Sequence, residues 1–418
     1  MKRGVLELLA SRLFESGGER LDAFERFLSS RPEIDDYAGF RATCERRGAS
    51  WHTWQGPEKE GELSEDMLKS PIASYHRYVQ WIMHEQLTDL SERARRDGEG
   101  LYLDLPVGIH PDGYDAWRER EAFALAASAG APPDPFFTRG QDWGFPPLDP
   151  AGSREQGHRY FIASIRSHLR YAGILRIDHV MGLHRLYWVP RGFSATEGVY
   201  VGYPAEELYA ILCLESHRAK ARIIGENLGT VPECVNEEMG KRCVQGMYVG
   251  QFSISTDPAE GLLPPPEGSL ASLNTHDMPT FAAYWTGFDI QSRQDMGLLN
   301  EEQAKHETDM RGWQKRSIRQ WLVDKGELNH GVEKESEEEM FAVFSSLLRI
   351  LAESEAEGVL VSLEDLWLER EPQNVPGTYR EYPNWQRRMS QSVSDIASME
   401  PVLALLRDIE HRRKRQEN

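Results

Sequence analysis

Apolar residues in the first 99 positions recur at helical spacing. Val5, Leu6, Leu8, Leu9, Leu13 and Phe14 form one stripe, and Leu21, Phe24, Phe27 and Leu28 a second. Tyr75, Tyr78, Val79, Ile82 and Met83 form a third. Ser70-Pro71 opens it as an N-cap followed by proline at the first helical position, and Gly98 and Gly100 end it. No strand is predicted in this region. From residue 100 short apolar runs alternate with longer helical stretches near 155–171, 204–219 and 338–353. The runs are LYLDLPVGI (101–109), GILRIDHV (173–180), ARIIGENL (221–228), QGMYVGQFSI (245–254), LASLNTHD (270–277) and VLVSLEDL (359–366). This alternation predicts an α/β fold with a parallel sheet, either open and doubly wound or closed as a barrel. The expected organisation is a helical subdomain over 1–99 and a (β/α) barrel region over 100–418.

Charge narrows the partners. Lys and Arg number 48 against 67 Asp and Glu, a net charge of −19 in 418 residues. Phosphate backbones and anionic lipid repel such a chain, so neither nucleic acid nor a membrane surface is expected as a partner. No apolar run reaches the roughly 20 residues of a spanning helix. The opening MKRGVLELLASRLFES is interrupted by Glu7 and Arg12 and reads as an amphipathic helix, not a signal peptide. Cys44, Cys213, Cys234 and Cys243 form no CxxC pair, and a cytoplasmic location is expected. His179, His184 and His217 lack ligand spacing, so no metal is expected, and without a G-x-G-x-x-G or Walker loop no nucleotide cofactor is. The basic end HRRKRQEN reads as a solvated helix terminus whose cations suit the dipole.

Five of the six runs carry an acid near their C-terminal end: Asp104, Asp178, Glu226, Asp277 and the pair Glu364/Asp365. Any one of them could be the N-cap of the next helix. Five in series suggest one cleft, because strand C-termini converge on the active face of a barrel. Like charges around a small cleft fit polyol or cation binding, or acid/base work. Glycosidic chemistry needs such a set: one carboxylate attacks the anomeric carbon, a second donates a proton, and a third supports the charge on the ring. Arg176 lies two residues before Asp178, on the same strand face, and could hold it ionised. His276 places a donor beside Asp277. Trp188, Trp285 and Trp385 are candidate sugar platforms, with core packing the competing reading.

Five segments then carry a resemblance. They are APPDPFFTRGQDWGFPPLDP (131–150), LRIDHVMGLHRLYWVPRG (175–192), IIGENLGTVPE (223–233), LNTHDMPT (273–280) and EPQNVPGTYREYPNWQRR (371–388). Their order and spacing resemble the 4-α-glucanotransferases (amylomaltases) of glycoside hydrolase family seventy-seven, closest to the bacterial maltose-utilisation branch. The resemblance implies a (β/α)8 TIM-barrel-type catalytic domain with helical insertions. It implies a retaining transfer of α-1,4-glucan segments between maltooligosaccharides, with Asp178 as nucleophile, Glu226 as general acid/base and Asp277 as transition-state stabiliser. It further implies substrate-binding roles for Arg176, His276, Asp104, Gln141, Trp143 and Asn374, and no cofactor.

The chain departs from that family twice. Asn227 stands where the family usually has Asp after the acid/base. The family's first two barrel strands, with a W-G-I-G-D-type segment, are not found, and six runs are counted where a closed barrel needs eight. An incomplete barrel would expose sheet edges, so a homodimer or a complementing N-terminal chain is an expected partner. The alternatives to a working transferase are a non-catalytic or partner-dependent glucan-binding remnant and a plain α-glucan hydrolase.

Overall fold

The structure, a computed structural model, describes residues 2–133, 139–329, 336–378 and 380–416. It divides into two compact units, Met1–Val244 and Gln245–Asn418. The boundary falls within the stretch 100–418.

In the first unit the described residues before Leu101 form helices and loops. The main helices are Lys2–Ser16, Glu19–Ser29, Glu33–Arg47 and Pro71–Asp97. The last begins as its sequence predicts: the Ser70 hydroxyl accepts the Ala73 N–H at 3.1 Å, and Pro71 needs no donor at that position. Phe24, Phe27, Tyr78 and Trp81 close a core with Ala10 and Leu13. The first predicted stripe is only partly buried, because the face carrying Ala10 and Leu13 packs inward while Val5, Leu8, Leu9 and Phe14 stay exposed.

Among the described residues seven strands follow in this unit: β1 (Leu101–Leu105), β2 (Ala127–Ala131), β3 (Gln141–Asp142), β4 (Ala172–Ile177), β5 (Arg185–Pro190), β6 (Val199–Gly202) and β7 (Arg222–Gly225). β1, β4 and β7 form a parallel sheet with β4 in the middle. All of β4 is buried. Leu175, Ile177 and Ile223 pack one face of this sheet against Ile165, Leu169, Leu208 and Leu212 of the covering helices Arg159–Leu169 and Ala205–Ala219. Arg176 alternates to the opposite face.

An antiparallel sheet in the order β3-β2-β5-β6 was not predicted. Its strand β2 reads ASAGA, whose small residues give no alternation of large apolar and polar positions. At Gly130 close approach demands the small residue, since a Cβ there would collide with the Gln141 carbonyl.

In the second unit β8 (Met247–Val249), β9 (Leu270–Ser272) and β10 (Gly358–Leu360) form a parallel sheet with β9 central. Each of the six predicted runs therefore overlaps a parallel strand shorter than the run, with β4 and β10 beginning one residue before theirs. The run 245–254 is cut short because Gly250–Ser253 turns into helix. Phe344, Leu347, Leu348 and Leu351 of helix Glu337–Ala352 meet Ile318, Leu322, Val402 and Leu405 in the core. The basic end is tied internally: Arg412 pairs with Asp408 at 3.0 Å and Arg413 donates to the Glu357 carbonyl at 2.8 Å.

Candidate active site

The first unit gathers four of the predicted residues at the C-terminal ends of β1, β4 and β7. Register sets this up. Asp104 pairs with Arg176, Leu105 with Ile177, and Ile177 with Gly225. One step further, Asp178 and Glu226 stand opposite each other on neighbouring strands. The Glu226 N–H donates to the Ile177 carbonyl at 2.9 Å, and the Asp178 N–H to the Leu105 carbonyl at 3.0 Å. Gly225 is required just before Glu226, because a Cβ there would lie 2.8 Å from Val180 Cγ2 and Met239 Cε.

Arg176 is buried and bridges two of the acids. Its Nη1 donates to both oxygens of Asp104 at 2.7 and 2.8 Å, and its Nη2 lies 2.9 Å from Asp178 Oδ1. Burial acts to lower the Arg176 pKa, but the Asp178 and Asp104 carboxylates outweigh it and hold the guanidinium above its ordinary value. The fork geometry of Arg suits this double contact, which an ammonium could not reproduce.

Glu226 is 9% exposed. Its Oε1 accepts the Leu228 N–H at 2.8 Å and its Oε2 the His179 N–H at 2.9 Å. Burial raises its pKa, and the Asp178 charge acts the same way; the two N–H donors and Arg176 pull it back. Desolvation of the charged form is the dominant effect.

His179 was not among the predicted site residues. It adopts a left-handed backbone, φ 47°, and its N–H donates to Glu226. Burial drives its ring pKa down to about 4, so the imidazole is neutral at neutral pH. That ring sits edge-on 5.3 Å from Trp143, whose indole N–H donates to Gln141 Oε1 at 3.2 Å. Its position between Asp178 and Val180 was the available signal. Residues 134–138 of the segment 131–150 lie outside the described residues. Asn227 donates to Asn236 Oδ1 at 2.9 Å.

The second unit holds a second group. His276 Nε2 lies 3.3 Å from Asp277 Oδ2, and Asn374 donates to Asp277 Oδ1 at 2.6 Å. The exposed Trp385 ring stands 5.6 Å from that of His276. Trp285 is 3% exposed and stacks on Phe281, which rules it out as a sugar platform. Trp188 donates to the Tyr203 hydroxyl at 3.2 Å. Tyr379, within the segment 371–388, lies outside the described residues. Among the described residues no group of three or more His, Cys, Asp or Glu is placed to hold a metal ion.

Chemically, the first group offers an ionised acid beside a cation and a desolvated carboxyl on the adjacent strand. The second offers a carboxylate between an amide donor and an imidazole, with an aromatic face nearby.

A sequence model described as 4-alpha-glucanotransferase matches residues 1–394. The chain is 37% identical over 401 residues to a 4-alpha-glucanotransferase of Mycobacterium tuberculosis, covering 92% of this chain and 54% of that one. It is 34% identical over 362 residues to one of Haemophilus influenzae, covering 84% and 52%. The chain thus spans about half the length of these curated relatives. The amylomaltase of Corynebacterium glutamicum superposes with a TM-score of 0.78 at 29% identity, covering 95% of this chain and 56% of that one. An amylomaltase of Streptococcus agalactiae in complex with acarbose gives the same TM-score at 22% identity, covering 98% and 77%, a likeness of fold. The fold is α/β, like that of the amylomaltases, and the described residues form six parallel strands in two three-stranded sheets.

Proposed function

The chain belongs to the 4-α-glucanotransferases of glycoside hydrolase family seventy-seven, and from that membership we propose that it transfers α-1,4-glucan segments between maltooligosaccharides by a retaining double displacement. Asp178 attacks the anomeric carbon while Glu226 protonates the departing 4-oxygen. The glycosidic bond breaks and a covalent β-glucosyl–enzyme forms. The 4-hydroxyl of a second glucan then attacks that intermediate, Glu226 takes its proton, and Asp178 leaves as carboxylate.

The observation that carries this reading is that Asp178 and Glu226 directly follow Ile177 and Gly225, the last paired residues of β4 and β7. Neighbouring strands lie roughly 4.8 Å apart, and retaining enzymes hold their two carboxyls about 5–5.5 Å apart. The electrostatics divide the roles. Asp178 has the Arg176 guanidinium 2.9 Å away, which favours the ionised nucleophile. Glu226 is desolvated, which favours the proton it must give. Its two N–H donors then hold the anion that accepts the second proton. Asp277, oriented by Asn374 and His276, takes the stabilising role. Asp104 anchors Arg176, and Gln141, Trp143, His276 and Asn374 contact glucan hydroxyls and apolar sugar faces. No described helix is long and apolar enough to cross a membrane. The family's glucan substrates are what favour a cytoplasmic place in glycogen or maltose metabolism.

The test is purified protein with maltotriose. Transfer yields longer oligomers plus glucose, and hydrolysis yields glucose and maltose without longer products. Because the chain spans about half of its relatives' length, a second reading is glucan binding without turnover, alone or pending a partner chain. Unchanged maltotriose with retained amylose binding would select it. Asp178→Asn should abolish turnover while leaving the melting temperature within a few degrees of the parent; persisting turnover removes Asp178 from the nucleophile role.

A further inference from the structure

The loop 274–281 carries His276 and Asp277 and is held at both ends by one acid from elsewhere in the second unit. Asp365 follows β10 and is 1% exposed. Its Oδ2 accepts from the Asn274 side-chain amide at 2.7 Å, where the loop begins, and its Oδ1 accepts the Phe281 N–H at 2.6 Å, where the loop ends. The Asn274 amide also donates to the Pro279 carbonyl at 3.3 Å, and its oxygen accepts the Ser362 hydroxyl at 2.6 Å. Gln251 donates to the same Pro279 carbonyl at 3.1 Å. We propose that Asp365 is a positioning residue: its buried carboxylate closes this loop and thereby sets where His276 and Asp277 stand. The proposal rests on the role given to Asp277 above.

The residue type is what the geometry demands. An apolar side chain would fill the same volume with less desolvation cost, but it would leave the Phe281 N–H and the Asn274 amide without acceptors. An asparagine would offer one acceptor and one donor, and the donor would meet the Asn274 amino group. If Asn274 flipped to relieve that clash, its oxygen would turn toward the Pro279 carbonyl and the loop would lose a bond. A carboxyl group has two oxygens to accept from both ends of the loop at once, and does so fully when ionised. The acid contributes no atom to the reaction; it acts through the placement of Asp277, and small misplacements of a reacting group are costly.

The test combines turnover with hydrogen exchange on the full chain. In Asp365→Asn, kcat on maltotriose should fall about 10- to 100-fold, with KM changed less than about threefold. Backbone amides of residues 275–278 and 280–281 should exchange at least about tenfold faster, while those of β8 and β9 keep their protection. Ser362→Ala, which removes only the hydroxyl that orients Asn274, should move both readouts in the same direction by less, and it decides the matter should Asp365→Asn not fold. Loop exchange equal to wild type overturns the proposal whatever happens to activity. So does faster exchange throughout the second unit, which would make Asp365 a general fold residue. Asp277→Asn serves as the control: if it keeps wild-type turnover, the catalytic reading of Asp277 has failed, and loop exchange still decides what Asp365 does.

Discussion

At the scale of single residues, Glu226 is set between two opposing influences. Burial favours its neutral form, and two backbone donors favour its anion. On the proposed mechanism the group must visit both states in each cycle. A raised pKa means that the alkaline limb of the kcat profile, where the proton donor is lost, lies above the position an ordinary glutamate would give. Glu226→Gln should remove that limb and lower kcat by about 10²–10⁴-fold, measured as a pH series with maltotriose. Arg176 opposes the rise in Glu226, so its removal has a sign as well as a size. Arg176→Met should move the limb further to high pH and cut kcat by a further large factor, because two carboxylates lose their shared counter-charge. The residue types of this cluster were legible in the sequence, since an Arg two positions before an Asp on a strand shares its face. The contribution of His179 was not, because it acts through a backbone N–H and a left-handed φ that no side-chain pattern records.

At the scale of elements, the parallel strands announced themselves as apolar runs, five of the six with an acid near the end, and β1, β4, β7, β8, β9 and β10 each overlap one of those runs. The antiparallel sheet stayed hidden because β2 is built from Ala, Ser and Gly and lacks apolar bulk, with Gly130 demanded by close backbone approach. The same constraint acts at Gly225. Gly225→Ala forces a Cβ against Val180 and Met239 and should destabilise the first unit by about 1–3 kcal/mol, read from denaturant unfolding, with a loss of turnover because Glu226 is the next residue. By comparison Ser70→Ala, at the start of helix Pro71–Asp97, should cost about 1 kcal/mol and leave turnover alone.

At the scale of the whole molecule, the division after Val244 could not be read from the alternation of strands and helices, which runs on through it. Nor could the burial of Asp365, which looked like one more acid at a strand end. Burial pushes its pKa from 3.8 up to about 7. A carboxyl raised in the folded state supports folding fully below its unfolded pKa and loses that contribution as pH rises through the folded one. This group therefore subtracts about 4 kcal/mol of stability between roughly pH 4 and pH 7, its pKa rising from 3.8 to about 7. Asp365→Asn should flatten the fall in unfolding free energy across that window, followed by denaturant titration at several pH values. A further consequence concerns the short turn after β4. The peptide that leaves Asp178 is the one whose N–H grips Glu226, and both residues grow from a single sheet over a single core. The proposed attacking group and its proton partner are thus welded by a main-chain link. On the proposed mechanism, loops around the sugar chain can be rewritten for longer or shorter glucans while these two groups keep their aim.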